Sequence, residues 1–400
     1  MLNFKSLLSP HLKAMAIGII APFLLTSCSL LPTQQISQAT PSQQAAEEAP
    51  PEALSPISNG QSFNLKWQKK IPAVLNGYRI LPPQVKNQGL YTAGADTVFA
   101  LNKDTGAEIW NKKLGENITA GIRIGSKNLF LGTEHGSIVA FSPTDGATRW
   151  IKLFNTPIVS ISNQLENKVA FRTINGKVIL VDADSGEVKW QHTESTKKLT
   201  ITGASSPLLI GPYLVSAFDN GKLIAYSIDT GEKKWETQVA SRDGLAEIDQ
   251  IVDLDAEMAA IGTAAFVSSA NGTTSGVDLR NGKVGWKAEI ASTTGFDVNE
   301  QGLYLTDREG YLYKLNPLTG KEIWKNDSLL RRQPNQPTLV AGKQLVIADA
   351  FGYIHVINTQ GETTARVQAD TAGYINGVNV AENQVYTQGK SGLISTHTLK

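Results

Sequence analysis

The chain has 400 residues, with 37 Lys and Arg against 36 Asp and Glu, a formal net charge of +1, and one cysteine. That balance, without any long basic run, argues against a nucleic-acid partner. A single cysteine excludes both a disulfide and a cysteine-based metal centre.

Residues 1–27 carry Lys5 and Lys13, no acid, and an apolar run over residues 14–25. This reads as a signal peptide, too short and too close to a cleavage site to be a spanning helix. It ends in Leu25-Thr-Ser-Cys28, the leucine, two small residues and cysteine of a bacterial lipobox. Cys28 is therefore expected to carry a covalent lipid and to become the first residue. One acyl chain holds a protein to a membrane only marginally and two or more hold it stably, so permanent anchoring is expected. Ser29, where an Asp would favour the inner membrane, favours the outer one, with the protein facing the periplasm. The stretch from Cys28 to residue 60 is rich in Gln, Ala, Pro, Ser and Glu. It reads as a disordered tether with an r.m.s. span on the order of 30 Å.

Residues 61–400 are filled by one returning cassette. Its first full copy is Leu101-Asn-Lys-Asp-Thr-Gly106-Ala-Glu-Ile-Trp110, and others end at Trp150, Trp190, Trp235, Trp286 and Trp324. An alternating apolar run predicts a half-buried strand, a turn containing Gly follows, and a second strand carries the Trp four residues after that Gly. An indole is a large apolar body with one N–H to satisfy, which suits packing between small sheets, so these tryptophans are read as structural. The Trp spacings, starting from Trp67, are 43, 40, 40, 45, 51 and 38 residues. A period near forty with several strands per unit predicts a β-propeller.

Two irregular units complete the count. Gly361 keeps its turn, but Ala365 stands in the Trp position. The chain then ends in a blade with no closing strand, while Phe63-Asn-Leu-Lys-Trp67 is a closing strand with no hairpin before it. Pairing the two chain ends gives an all-β, eight-bladed propeller of four-stranded antiparallel blades with no free seam.

Chemistry is sparse. The histidines at 11, 135, 192, 355 and 397 make no metal-ligand spacing. Asp182-Ala-Asp184-Ser-Gly186 resembles a calcium loop only until Gly186 and Thr193, which stand where carboxylates belong. No nucleophile elbow, dinucleotide fingerprint or P-loop is present. No catalytic residue, cofactor site or metal site is therefore expected. Two stretches stand out instead. The long unit between Trp235 and Trp286 contains Asp253 and Asp255, two apart and so on one side of an extended chain. Leu199 and Ile201 likewise share a face just before Pro207.

With lipobox, tether and eight blades assembled, the chain resembles the BamB family over its whole length. These are lipoprotein subunits of the bacterial outer-membrane β-barrel assembly (Bam) machinery. Glu247-Ile-Asp249 followed by Asp253-Leu-Asp255 resembles the family loop whose paired aspartates contact the barrel-forming subunit BamA. Leu199-Thr-Ile201-Thr202-Gly203 resembles the neighbouring family loop, with Thr202 in the place of an Arg. A hydroxyl cannot make an Arg's forked, charge-assisted bonds, so the partner differs there or another cation such as Arg242 substitutes. The resemblance implies a non-enzymatic scaffold that docks BamA beside other Bam subunits and aids delivery of unfolded outer-membrane precursors. Two alternatives remain: a pyrroloquinoline-quinone dehydrogenase on the same cassette, or an envelope propeller with another protein partner.

Overall fold

The computed structural model describes residues 49–57, 60–73, 82–194, 205–240, 252–269, 272–373 and 377–400. Its strands form eight separate four-stranded antiparallel sheets, the arrangement of an eight-bladed β-propeller. Blade 1 runs Gln84–Lys86, Gly89–Gly94, Thr97–Asn102 and Glu108–Lys113, from first strand to fourth. Blades 2 to 7 repeat that order within residues 118–153, 158–193, 208–238, 259–288, 296–326 and 338–368. Blade 8 takes its first three strands from Val378–Ala381, Gln384–Gln388 and Leu393–Leu399, and its fourth from Phe63–Lys70. The two chain ends pair from Phe63 opposite Leu399 to Lys70 opposite Leu393.

Apolar side chains are buried between neighbouring blades and not around one centre. Val215, Ala217 and Leu223 of blade 4 share a cluster with Ala265, Val267 and Val277 of blade 5. Each Trp adds a polar lock at its junction. The indole N–H of Trp67, Trp110, Trp150, Trp190, Trp235, Trp286 and Trp324 donates to a turn carbonyl of the next blade, at 2.7–3.1 Å. In six of these turns the Gly also lies so close to the ring that a Cβ would stand 2.2–2.7 Å from it, and its φ is 68–73°. Glycine is thus needed twice, for the backbone conformation and for the approach of the ring. The strand carrying the Trp has a bulge just before it: Ala100 pairs with Trp110 and Leu101 with Glu108, leaving Ile109 unpaired. Such an extra residue re-aims the side chain that follows.

Ala365 breaks this pattern for a topological reason. Blade 8 has no turn between its third and fourth strands, because Leu393–Leu399 and Phe63–Lys70 are not consecutive in the chain. Ser62 and Lys400 bond each other's backbone at 3.0 and 3.3 Å, and Gln61 N–H donates to Thr364 O at 2.8 Å. With no turn glycine to receive an indole, the incoming chain takes its place.

Residues 49–57, which composition assigns to the tether, are bonded to the crossover between blades 6 and 7, residues 327–337, and to the last strand of blade 7. Glu52 N–H donates to Leu330 O at 3.0 Å. Arg331 Nε donates to Pro50 O at 2.7 Å, Arg332 Nη1 to Glu52 O at 3.3 Å and Arg366 Nη1 to Ser55 O at 3.1 Å. Arg332 is held in turn by buried Asp349 at 2.6 Å, whose Oδ2 lies 2.9 Å from His355 Nε2.

Two predictions follow from these junctions. Gly186→Ala puts a Cβ 2.6 Å from the Trp150 ring at a φ of 69°. It should cost about 2–5 kcal/mol, more than Trp150→Phe, which loses one indole bond worth about 1 kcal/mol along with some packing. Denaturant titration of both variants checks the order. The second concerns His397, buried in the terminal seam, where burial holds its pKa down at about 4. The unfolded chain, with an ordinary histidine pKa of about 6.5, binds that proton more readily. Stability should therefore be full above about pH 6.5 and fall toward pH 4, with a slope of up to about 1.4 kcal/mol per pH unit for this group. Burial also lowers the pKa of His355, which adds a loss of the same sign. His397→Gln should flatten the pH dependence in part, read from unfolding midpoints across that range.

Candidate functional site

In a blade of antiparallel strands, the crossover to the next blade leaves from the same end as the turn between the second and third strands. The Gly turns that receive the tryptophans lie at the opposite end. The two faces of the ring are therefore unlike. One carries the repeated, closely packed turns; the other carries crossovers whose length varies. The crossovers after blades 1 and 2 span only residues 114–117 and 154–157, whereas those after blades 3 and 4 span 194–207 and 239–258. Both stretches singled out in the sequence lie in these two long crossovers.

Around the axis on this face lies a cavity of about 480 Å³, lined by residues from all eight blades. Its ionisable groups are Arg123, Glu257 and Asp297. Asp297, on the first strand of blade 6, accepts the N–H groups of Val298 at 2.8 Å and Leu339 at 2.7 Å. Burial nevertheless raises its pKa against those two bonds. Arg123 donates to Ile161 O at 3.3 Å. Asn163 bonds Leu209 both ways, its amide nitrogen to the carbonyl and its Oδ1 to the N–H, each at 2.9 Å.

Ser206, Glu257, Gly295 and Gln336 form a chain of contacts beside this cavity. Glu257 accepts two bonds from Ser206, from the N–H at 3.1 Å and from Oγ at 2.7 Å. The Glu257 backbone makes a parallel bridge with Gly295. A Cβ on Gly295 would lie 3.1 Å from the Gln336 amide carbon, and Gln336 Nε2 donates to Phe296 O at 2.8 Å. None of the four belongs to a motif of its own in the sequence. A signal was present: each stands 29 residues before its blade's Trp position, 206 to 235, 257 to 286, 295 to 324 and 336 to 365. Equivalent positions of four successive blades therefore meet around the axis.

The sequence-selected residues fare differently. Asp253 and Asp255 are 2% and 7% exposed, and both have partners within the chain. Val252 and Leu254, alternating with them, join the buried cluster between blades 4 and 5. The segment is thus covered on both sides, and the carboxylates do not present themselves to solvent. Cys28, Leu199, Ile201, Thr202 and Arg242 lie outside the described residues.

Pyrroloquinoline quinone, a planar tricarboxylate, does not fit this cavity. Its three negative charges would meet two carboxylates and one guanidinium, and no aromatic ring lines the walls to stack on its plane. Among the described residues no three His, Cys, Asp or Glu side chains are grouped to hold a metal ion.

Comparison with known proteins gives the following. The family described as "Outer membrane protein assembly factor BamB" matches residues 94–326. The outer membrane protein assembly factor BamB of Yersinia pestis is 25% identical, over 96% of this chain and 99% of that relative. The crystal structure of BamB from Moraxella catarrhalis superimposes with a TM-score of 0.73 at 22% identity, over 84% of this chain and 99% of that one. A quinohemoprotein alcohol dehydrogenase from Pseudomonas putida reaches 0.66 at 13% identity, over 84% of this chain and 76% of its own. At those identities the two structures speak for the fold alone.

The burial of Asp253 generates a prediction. Asp253→Lys inverts a charge that is 2% exposed, and should destabilise the propeller by about 3–5 kcal/mol. Asp253→Asn, which keeps the shape, should cost clearly less. Thermal melts of the two variants beside wild type measure the difference.

Proposed function

The chain belongs to the BamB family of outer membrane protein assembly factors, and we propose that it is a non-catalytic scaffold of the Bam machinery. It docks the periplasmic domains of BamA through the crossovers after blades 3 and 4, sits beside other Bam subunits, and aids delivery and insertion of unfolded barrel precursors. The observation that carries this reading is the bonding of Ser206 to Glu257, which brings the roots of both sequence-selected loops together on one face.

A propeller suits such work because its blades hold one another rigidly, so that long crossovers can vary in shape without disturbing the ring. Asp253 and Asp255, being buried, shape the second crossover from beneath. Contact with the partner then falls to the crossover loops themselves, including Leu199, Ile201 and Thr202 of the first. Lipid on Cys28 anchors the protein at the outer membrane, facing the periplasm, through a tether that ends where blade 7 takes hold of residues 50–55.

The test is co-purification of BamA from the protein's own membranes, with wild type, with Leu199→Ala/Ile201→Ala and with Asp253→Asn/Asp255→Asn, each melted in parallel. BamA should accompany wild type and fall at least about fivefold with either double variant, a coupling on the order of 1 kcal/mol, while melting stays cooperative. A wild-type eluate without BamA would remove the docking role.

A further inference from the structure

We propose that Glu257 is the latch that joins the roots of the two long crossovers, Ser206 on one side and residues 252–257 on the other, into one support. This rests on the docking role above and names the residue that positions it. Glu257 itself is a positioning residue, working through Ser206 and through the segment that precedes it.

The geometry is that of a clamp. Both carboxylate oxygens are spent on one residue: Oε2 accepts the Ser206 N–H at 3.1 Å and Oε1 its hydroxyl at 2.7 Å. Ser206 is the residue before Pro207, so the proline ring already restricts its backbone to extended conformations. The clamp therefore fixes the direction in which the first crossover arrives at blade 4. From the other side, the Glu257 backbone cannot swing away. Its N–H points to Thr294 O at 3.4 Å and it bridges to Gly295. Gly295 has a φ of 131°, and a Cβ there would stand 2.8 Å from Glu257 Cβ and 3.0 Å from its carbonyl oxygen. Only a glycine lets the two backbones approach in this way.

A carboxylate suits the position because it is an acceptor twice over and brings no donor of its own to satisfy. Of the other residues at this place in the repeat, Ser206 is too short and Gly295 has no side chain. Gln336 offers one acceptor and reaches the neighbouring backbone with its amide. Just upstream of the latch, Val252 and Leu254 are buried in the blade 4–5 cluster, with Asp253 and Asp255 buried beside them. The second crossover is thus seated at its root, and Glu257 carries that seating across to the first. The blades do not need the latch, because their strands are held by their own ladders and by the Trp junctions. Cutting it should free the crossovers and leave the ring intact.

The experiment reads amide hydrogen exchange in peptides covering residues 205–208 and 252–258, together with BamA recovery from membranes, on the full-length protein. Wild type is compared with Glu257→Ala, Glu257→Gln, Ser206→Ala and Ser206→Ala/Glu257→Ala. Glu257→Ala should speed exchange in both peptides by about tenfold or more, with strand amides unchanged, and reduce BamA recovery at least about fivefold. Glu257→Gln, keeping shape and one acceptor, should recover part of both, and the double variant should be no worse than Glu257→Ala. Unchanged exchange in either peptide would overturn the latch. Faster exchange with full BamA recovery would overturn its part in docking. If wild type retrieves no BamA, the docking role falls, and the exchange data still decide whether Glu257 joins the two roots. Should Glu257→Ala fail to fold, Glu257→Gln and Ser206→Ala carry the same two measurements.

Discussion

The molecule depends on one repeated contact, an indole lying under a glycine turn of the next blade with its N–H on that turn's carbonyl. A four-stranded blade is too small to bury both its faces alone and must take its neighbours' surfaces to complete its core. The Trp does this with a large apolar ring, and its single donor fixes how far round the ring each blade is set. Because a Cβ in six of the seven turns would fall within 2.7 Å of the ring, the distance between blades is set by the absence of a side chain as much as by the presence of one.

Closure follows from the same contact. The eighth junction cannot use it, since the third and fourth strands of blade 8 are not joined by a turn that could receive an indole. Ala365 fills that place, the terminal strands pair directly, and residues 50–55 are held by Arg331 and Arg332 of the crossover into blade 7 and by Arg366 of its last strand. The weakest point of a ring, its seam, is thus reinforced by backbone bonds and by a strap that costs little beyond ordering a few residues. The same strap sets the place from which any membrane anchor must reach.

Room for variation is left on the face that the tryptophans do not occupy. There the crossovers are free to lengthen, and the roots of the two longest are bonded to each other through Ser206 and Glu257. The cavity they border is lined by hydroxyls, amides, two carboxylates and the Arg123 guanidinium, with apolar groups such as Leu208, Met258 and Val378 between them. It resembles a support for loops more than a cofactor bed, in keeping with a family named for assembly of outer membrane proteins. The structural likeness to a quinohemoprotein alcohol dehydrogenase is one of fold, and a fold by itself does not fix function.

The blade number, the strand order and the closure of the two ends were all legible in the sequence. Those follow from local signals, a period-two strand, a Gly turn and a Trp at fixed spacing, repeated until the arithmetic of the ring was complete. It also drew attention to the two long crossovers, since extra residues show in the spacing from Trp235 to Trp286. Only the tertiary structure decided what those residues do. Asp253 and Asp255 alternate like a solvent-facing pair, yet another part of the chain covers them, because burial depends on neighbours that sequence spacing does not record. Ser206 and Glu257 are 51 residues apart and meet only because blades 4 and 5 are adjacent around the axis. Residues 50–55 have a composition too polar to bury a core. Their order comes from three arginines some 280 to 310 residues away, a contact that exists only once the ring has closed.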